Sequence, residues 1–498
     1  MGITYDTIVV GGGTAGAAVA GRLAERGNES VLLLEAGPDY GKQDNGRWPT
    51  DLLDGRVLTE SHDWGYTSAS RTGLPRHRLP RAKVIGGCSS HNGCIALCGS
   101  RSDYDGWAEE GNPGWSADDL LPFFNKAAAM LRVREFTVQE VTPFHAACLE
   151  AMEGAGIPLT DRLDDLDENV GAATAPVNIE NGVRRNTAAA YLDPVRGNPQ
   201  LTILGDAQVE KINIVKGRAA SVEVIRGGST TTMIAGRVVL CAGAYGSPAV
   251  LMRSGVGTAE ALRALGIPPV LDLPGVGCNL HDHPAIELTY IGAESLSEEM
   301  HEFASNGQVI FTEQSLAKAR SSHCAKAFDL HLYPCSSAQP DEEGKWGFVL
   351  PVANMVPRSR GRVTLQDRDA SANLVIDTGY LNDAQDVDLD VLMDGVALTR
   401  RVAAQPSLAR FVGQERPGSK ALAEPDAVRR SCCHYYHPVG SCKMGPSSDP
   451  LAVVDASGMV HGIENITVVD ASIMPTIPRA NTNLPVLALA ERIVSQLN

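Results

Sequence analysis

The chain has 498 residues, a formal net charge of −16 and an apolar share of 43%, which is typical of a globular protein long enough for two or three cores. The negative charge repels phosphate backbones and no Lys/Arg-rich run opposes it, which argues against nucleic acid as a partner. The eleven cysteines are odd in number and lack paired CxxC spacing, which argues against a disulfide scaffold and a structural zinc site, so we expect no metal.

The start of the chain bears on its location. The first six residues lead straight into an apolar run and leave no room for a basic and apolar leader. No stretch of the chain approaches ~20 uninterrupted apolar residues. We therefore expect a cytoplasmic protein without membrane contact.

A strand, a glycine turn and a helix follow one another without a gap near the start. The motif GGGTAG supplies Gly11 for a tight turn, Gly13 for close approach to a pyrophosphate, and Gly16 for helix packing on the strand. The helix N-terminus offers unpaired N–H groups to phosphates. A second apolar run ends in Glu35, close to the spacing at which an acidic residue meets a ribose hydroxyl. The pattern predicts a dinucleotide site, and by itself it also permits an NAD-dependent dehydrogenase.

The middle of the chain alternates between helical and strand patterns. Residues 115–160 are predicted to be largely helical, because Ser116 and Thr142 resemble N-caps. Between 200 and 245, turn signals separate three alternating runs and predict a β-meander that ends in a buried strand. This return to the nucleotide sheet makes the nucleotide domain discontinuous. The predicted meander strands are 207–215, 219–225 and 230–240, and a further helix is predicted at 386–404.

The last seventy residues hold most of the chemistry. His437 lies in a loop constrained by a following proline, and a buried-type strand is predicted at 466–470. A helix follows at 484–497, with Asn483 as its predicted N-cap. Its positive end would point at whatever Asn481 and His437 face, where an anionic reduced flavin would be stabilised.

These segments resemble the glucose-methanol-choline (GMC) family of flavoprotein oxidoreductases over residues 5–496. The matches occur in order: the glycine motif with Glu35, GGCSS at 86–90, GAYGSP to SGVG at 243–257, then His437 and Asn481. The resemblance implies FAD rather than NAD and an α/β fold with a discontinuous Rossmann-like FAD-binding domain. It also implies an α+β substrate domain of antiparallel sheet and helices. The implied FAD-binding domain comprises 1–114, 196–284 and 431–498, and the substrate-binding domain comprises 115–195 and 285–430.

The resemblance also implies roles for individual residues. His437 is the base that takes the hydroxyl proton of an alcohol, and Asn481 donates to the same oxygen while hydride passes to the flavin. The resemblance implies His331 as a substrate-side residue, and we expect Tyr435 and Tyr436 to line a polar substrate pocket with it. Tyr435 is itself a departure, because the residue two positions before the catalytic histidine is apolar in the choline-oxidising members. The implied cofactor residues are Gly11, Gly13, Thr14, Ala15, Gly16, Glu35, Ala36, Arg81, Gly87, Ser90, His91, Asn92, Val209, Ala242, Gly243, Asp470, Ala471, Asn481 and Thr482.

The loop at 81–92 is similar almost residue for residue to choline-oxidising members of the family. In those enzymes the matching histidine is bonded covalently to the flavin, which makes His91 the candidate for attachment. The alternative is that His91 only hydrogen-bonds the loop. Two departures concern the substrate: Ala285 stands where those enzymes carry a cation-binding carboxylate, with Glu287 two residues further on, and Gly93 replaces a serine.

Aromatic residues make up only 5% of the chain, so an aromatic cage for a quaternary ammonium is not evident. We therefore expect a small primary alcohol or a sugar-like polyol as substrate, with choline or another amino alcohol as the alternative. A lyase of the FAD-containing hydroxynitrile type is a further alternative, because fold does not guarantee redox turnover. The electron acceptor, dioxygen or another, stays open, and a homodimer is compatible with the sequence.

Overall fold

The structure is a computed structural model that describes residues 4–70, 76–167 and 170–497. The first three residues, which belong to the stretch used to argue against a leader, lie outside the described residues. Its helices are α1 (Thr14–Arg26), α2 (Thr50–Leu53), α3 (Arg101–Glu109), α4 (Ala117–Leu131), α5 (Pro143–Gly154), α6 (Gly243–Arg253), α7 (Ala259–Ala264), α8 (Glu294–Ser305), α9 (Val387–Ala403), α10 (Pro406–Ala409), α11 (Pro417–Lys420), α12 (Pro425–Ser431) and α13 (Asn483–Gln496).

The strands form two large sheets and a few short pairs. They are β1 (Thr4–Val10), β2 (Val31–Leu34), β3 (Gly171–Thr174), β4 (Ile179–Glu180), β5 (Val183–Arg184), β6 (Leu201–Leu204), β7 (Gln208–Val215), β8 (Arg218–Arg226), β9 (Ser229–Leu240), β10 (Val256–Gly257), β11 (Leu271–Asp272), β12 (Pro284–Gly292), β13 (Ser315–Ala319), β14 (Leu330–Leu332), β15 (Cys335–Ser336), β16 (Gly347–Asn354), β17 (Arg362–Leu365), β18 (Leu374–Asp377), β19 (Val412–Glu415), β20 (Cys433–His434) and β21 (Ile466–Val468).

The first large sheet has the order β6-β2-β1-β9-β8-β7, and β21 also pairs with β9. Its β6, β2, β1, β9 and β21 pairings are parallel, whereas β7, β8 and β9 form the predicted antiparallel meander. All four residues of β2 are buried, as expected for a parallel strand that is covered on both faces. The carboxyl ends of β1, β2 and β9 therefore meet at one edge, where such sheets bind ligands.

Helix α1 packs on β1 and β2, α13 packs on α1, and α4 packs on α13. Trp115 and Phe124 are buried in the same core as β1 and β2. This packing places residues 115–131 with the nucleotide sheet, although the sequence reasoning assigned 115–195 to the substrate domain. A domain boundary at residue 114 would divide this core, because the apolar face of α4 is buried against α13.

The second large sheet is antiparallel, with the order β19-β12-β16-β14-β13-β3 and with β15 and β20 at its margins. Helices α5 and α9 pack on it around a separate core. The mixed α/β architecture with an antiparallel second sheet agrees with the predicted fold class. None of the helices in the described residues is long and apolar enough to cross a membrane.

Local caps explain where two helices begin. Ser116 and Asp119 form a reciprocal capping box at α4, and the Thr142 hydroxyl accepts from the amide of His145 at α5, as predicted. The prediction for α13 was wrong by one residue. Thr482 already has αR dihedrals, so the helix begins at Asn483 itself and has no side-chain cap.

Candidate active site

A cavity of about 870 Å³ lies between the two large sheets. Val10 and Leu34, the last residues of β1 and β2, line one part of it, and Glu287 on β12 and Pro351 on β16 line another. The cavity therefore extends from the carboxyl edge of the parallel strands to the antiparallel sheet. We refer to these two parts as the cofactor end and the catalytic end.

Glu35 is the acidic residue of the cofactor end. Its two carboxylate oxygens accept from the backbone amides of Gly12 and Gly37, each at 2.8 Å. The side chain is buried, and this burial raises the pKa of the carboxyl to about 7 because the charged form loses its hydration. Its position on the cavity wall beside the N-terminus of α1 agrees with the predicted ribose-binding role.

Two backbone segments, the glycine turn after β1 and the loop at 86–90, approach each other closely at this end. A Cβ added to Gly87, whose φ is +54°, would lie 2.6 Å from the Cα of Gly13. The buried side-chain atoms Oδ1 of Asn481 and Nδ2 of Asn483 line the cavity without a hydrogen-bond partner. The unpaired polar atoms, and the N-termini of α1 and α13, which have no side-chain cap, together fit FAD.

The predicted cofactor residues converge on this cavity, except for Gly16 and Ser90. A Cβ on Gly16 would lie 1.8 Å from the carbonyl oxygen of Gly11, so Gly16 serves the helix packing that the motif predicts. The Ser90 hydroxyl donates to the carbonyl of Ile85 at 3.0 Å and holds the loop in shape. Those that line the cavity are Gly11, Gly13, Thr14, Ala15, Glu35, Ala36, Arg81, Gly87, His91, Asn92, Val209, Ala242, Gly243, Asp470, Ala471, Asn481 and Thr482.

His91 is buried on the cavity wall, and its Nε2 contacts the carbonyl of Ser61. Burial lowers the pKa of His91, and the positive charges of Arg81 and Arg184 lower it further. The imidazole is therefore neutral at neutral pH, the state in which a ring nitrogen has a free lone pair. This state is compatible with covalent attachment to a flavin, which stays a prediction for this chain.

Arg184 is a residue of this loop that sequence reasoning missed. Its buried guanidinium donates to the carbonyls of Asn92, Leu52 and Val57 at 3.0, 2.8 and 2.6 Å, and to the carbonyl of Ser90 at 3.1 Å. It joins the His91 loop to the segment at 51–57. An arginine next to another arginine in the sequence gives no signal of this role.

His437 is held at the catalytic end by two neighbouring residues. Its Nδ1 lies 3.0 Å from Nδ1 of His283, and its backbone amide donates to Oδ1 of Asp282 at 2.9 Å. The hydroxyl of Tyr380 donates to the other oxygen of Asp282 at 3.1 Å. Because Nδ1 is engaged, Nε2 is the ring nitrogen that His437 can present to a ligand in the cavity that it lines.

The electrostatics favour a neutral His437. Burial lowers the pKa of His437 well below its usual value, and the nearby His283 and Arg81 lower it further. When Nδ1 donates to His283, Nε2 carries the lone pair and can accept a proton. Ligand atoms of Asp282, His283 and His437 lie within 4.8 Å of one another, close enough to hold a metal ion. The metal-free expectation stays a prediction.

The predicted substrate residues divide into two groups. Tyr435 and Tyr436 line the cavity, and the Tyr435 hydroxyl is buried without a hydrogen-bond partner. His331 does not line it: the side chain is fully buried and stacks on Phe328 at 5.4 Å between ring centroids. Both ring nitrogens of His331 are buried without a hydrogen-bond partner, and its predicted role toward the substrate stays a prediction.

Comparison with known proteins identifies the family. The models of the GMC oxidoreductase N- and C-terminal regions match residues 5–285 and 357–490. The chain belongs to the GMC oxidoreductase family. It is 36% identical to an oxygen-dependent choline dehydrogenase of Paraburkholderia phymatum, covering 99% of this chain and 92% of that protein. The oxygen-dependent choline dehydrogenase of Pseudomonas syringae pv. syringae is 35% identical, covering 99% of this chain and 93% of that protein.

Solved structures of GMC oxidoreductases share the fold. The crystal structure of pyridoxine 4-oxidase from Mesorbium loti has a TM-score of 0.85 and 29% identity, covering 99% of this chain and 98% of that one. A formate oxidase structure has a TM-score of 0.86 with the same coverage at 23% identity, a level that bears on the fold alone. As a GMC oxidoreductase, the chain is an FAD-dependent enzyme, as predicted from the sequence.

Proposed function

We propose that this GMC oxidoreductase oxidises the hydroxyl group of a primary alcohol to a carbonyl. The observation that carries the proposal is the arrangement of His437, whose neutral imidazole is oriented by His283 and Asp282 and lines the same cavity as Asn481. To lose its proton, the substrate hydroxyl needs a base that accepts the proton and a hydrogen-bond donor that stabilises the oxygen. Bound FAD supplies the acceptor for the hydride.

His437 takes the hydroxyl proton on Nε2. Its Nδ1–H then donates to His283, and the imidazolium stabilises the developing alkoxide. The Asn481 side-chain amide donates to the same oxygen, and Asp282 holds the His437 backbone in place with support from Tyr380. Residues at the cofactor end, among them Glu35 and Gly87, would hold FAD and take no part in the proton transfer.

The test is anaerobic mixing of the holoenzyme with primary alcohols, sugars and amino alcohols, followed by absorbance near the flavin maximum. We expect at least one alcohol to bleach the flavin and admission of air to restore the yellow colour if dioxygen is the acceptor. If the colour returns only with an artificial acceptor, the enzyme is a dehydrogenase. If no alcohol bleaches the flavin while a cyanohydrin is cleaved, the lyase alternative replaces the proposal.

A choline or amino-alcohol substrate is the second candidate. The relatives with 35 and 36% identity that are named oxygen-dependent choline dehydrogenases favour it. The cytoplasmic location and the homodimer are proposals that rest on the sequence. Cell fractionation and size-exclusion chromatography with light scattering check them.

A further inference from the structure

Two carboxylates lie in the wall of the catalytic end. Glu287 is on β12, and Glu313 precedes β13. The carboxylate of Glu313 lies against the backbone of Gly93, since a Cβ added there would be 3.2 Å from its Oε2. Gly93 thus leaves space for an acidic group beside the loop that carries His91.

No positively charged side chain compensates these carboxylates. Among the residues that the structure describes, neither Glu287 nor Glu313 forms an ion pair with Lys, Arg or His. Burial raises the pKa of Glu313 to about 7, and only the Cys335 thiol lowers it as a hydrogen-bonding neighbour. Burial also raises the pKa of Glu287, although this side chain is exposed toward the cavity. An unpaired carboxylate that is largely removed from water, as at Glu313, lowers the stability of the fold.

A third polar group points to a ligand in the same region. The hydroxyl of Tyr435 lies beside the side-chain amide of Asn481 but forms no hydrogen bond of normal geometry, although the residue is only 5% exposed. Burial raises the pKa of the Tyr435 and Tyr436 hydroxyls, and the charge of Glu313 raises the pKa of both further, with Glu287 also acting on Tyr436. A ligand that brings N–H donors and a positive charge would satisfy all of them.

The aromatic rings favour an N–H donor over a quaternary ammonium. Tyr435 and Tyr333 stack on each other with ring centroids 4.1 Å apart and planes inclined by 17°. One face of each ring is therefore covered by the other ring. The pair cannot surround a cation on several sides, as an aromatic cage does. A carboxylate, by contrast, is strongest as the acceptor of a charge-assisted N–H bond.

We propose that the alcohol substrate carries a basic nitrogen with an N–H proton, and that Glu313, with Glu287, binds this protonated nitrogen while the hydroxyl faces His437. The proposal rests on the proposed function and specifies its substrate class. An aliphatic amine and an N-heteroaromatic base share this chemistry. It differs from the choline in the names of the relatives, because choline has no N–H.

The first experiment compares isosteric substrates with the unmodified holoenzyme. Dimethylaminoethanol carries a charge and an N–H, choline carries only the charge, and isoamyl alcohol, the carbon isostere of protonated dimethylaminoethanol, carries neither. We expect the second-order rate constant of anaerobic flavin reduction to be at least about tenfold higher for dimethylaminoethanol than for either of the others. The same comparison between pyridylmethanol and benzyl alcohol tests an N-heteroaromatic base. The substrate pair with the larger ratio of rate constants shows whether the nitrogen belongs to an aliphatic amine or to a heteroaromatic ring.

The second experiment removes the charge with Glu313→Gln. We expect the preference for the N–H substrate over its neutral isostere to fall about tenfold or more, while reduction by the neutral isostere is retained. Glu135→Gln is the matched control, since burial also raises the pKa of Glu135 to about 7 but the residue does not line the cavity. It should leave the preference unchanged.

The outcomes separate this proposal from the proposed function. If neutral alcohols and their N–H counterparts reduce the flavin equally well, or if choline is preferred to dimethylaminoethanol, the proposal is wrong and alcohol oxidation stands. If the preference survives in Glu313→Gln, the assignment to Glu313 is wrong. If no alcohol reduces the flavin, the proposed function itself fails.

Discussion

The cofactor end and the catalytic end of the cavity are built from different kinds of sequence. At the cofactor end, Gly11, Gly13 and Glu35 come from one continuous β1-α1-β2 unit. At the catalytic end, His437 is held by His283 and Asp282, which lie 154 and 155 positions away in the chain. The cofactor end offers a dinucleotide mainly backbone groups from a local turn. The catalytic end depends on side chains that only the folded chain brings together.

This difference has a consequence for function. Backbone N–H groups at a helix N-terminus suit any phosphate-bearing dinucleotide, so the cofactor end defines a cofactor class. The catalytic end sets the proton transfer through His437 and the substrate charge through Glu313. Substitutions at the two ends should therefore separate cofactor retention from chemistry, and the following predictions test that separation.

Replacing His437 should have the largest effect on turnover. With His437→Asn, we expect the rate of anaerobic flavin reduction to fall about a hundredfold to ten-thousandfold, because the general base is lost. FAD content per chain, measured by absorbance, should stay at the wild-type value. His323→Asn is a control, since His323 is on the surface beside Asp390. A parallel loss of FAD in His437→Asn would show that the two ends are not separable.

Gly87→Ala should act at the opposite end. The added Cβ would lie 2.6 Å from the Cα of Gly13, at a φ of +54° that favours glycine. We expect the affinity for FAD to fall about tenfold or more, measured by titration of the apoprotein. Gly106→Ala is the matched control, because a Cβ there meets nothing within 4 Å. Full FAD binding by Gly87→Ala would show that the close packing of the loop at 86–90 on the glycine turn is not needed for the cofactor site.

The smallest expected effect is a pH dependence at Glu35. Burial raises the pKa of this carboxyl to about 7 in the protein alone. A ribose hydroxyl that donates to the carboxylate favours the charged form, so the pKa falls on binding and FAD uptake releases a proton. Affinity for FAD should therefore decrease as pH falls through about 7, by at most about tenfold per pH unit.

Titration of the apoprotein with FAD at about pH 6 and about pH 8 measures this slope. Glu35→Gln lacks the titrating carboxyl and should flatten the dependence, although its affinity is lower at the higher pH. An unchanged slope in this variant would assign the pH dependence to another group.

Much of the fold could be predicted because its signals are local. The glycine turn, the meander strands and the capping box of Ser116 depend on residues close in sequence, and the structure has them where the patterns predict them. The start of α13 was off by one residue, because Thr482 adopts helical dihedrals that its sequence does not distinguish. The packing of α4 on α13 was missed, since it joins segments with no local relation.

The candidate site was predictable only where a motif carried it. His437 and Asn481 were found through family resemblance, and both line the cavity. His331 stacks on Phe328 outside the cavity lining, a position that its sequence does not reveal, and its role toward the substrate stays a prediction. Glu313 was missed altogether, because it belongs to no motif. Its place in the cavity wall depends on the space left by Gly93, more than two hundred residues earlier in the chain.

The sequence by itself determined that the chain binds a dinucleotide and belongs among FAD enzymes, because turns, caps and motifs are properties of neighbouring residues. Only the tertiary structure decided which charges face the substrate. Burial gives Glu313 its raised pKa and leaves the Tyr435 hydroxyl without a partner, and burial depends on segments that meet in space. Net charge and composition cannot report that, since the same carboxylate on the surface would be hydrated and have an ordinary pKa.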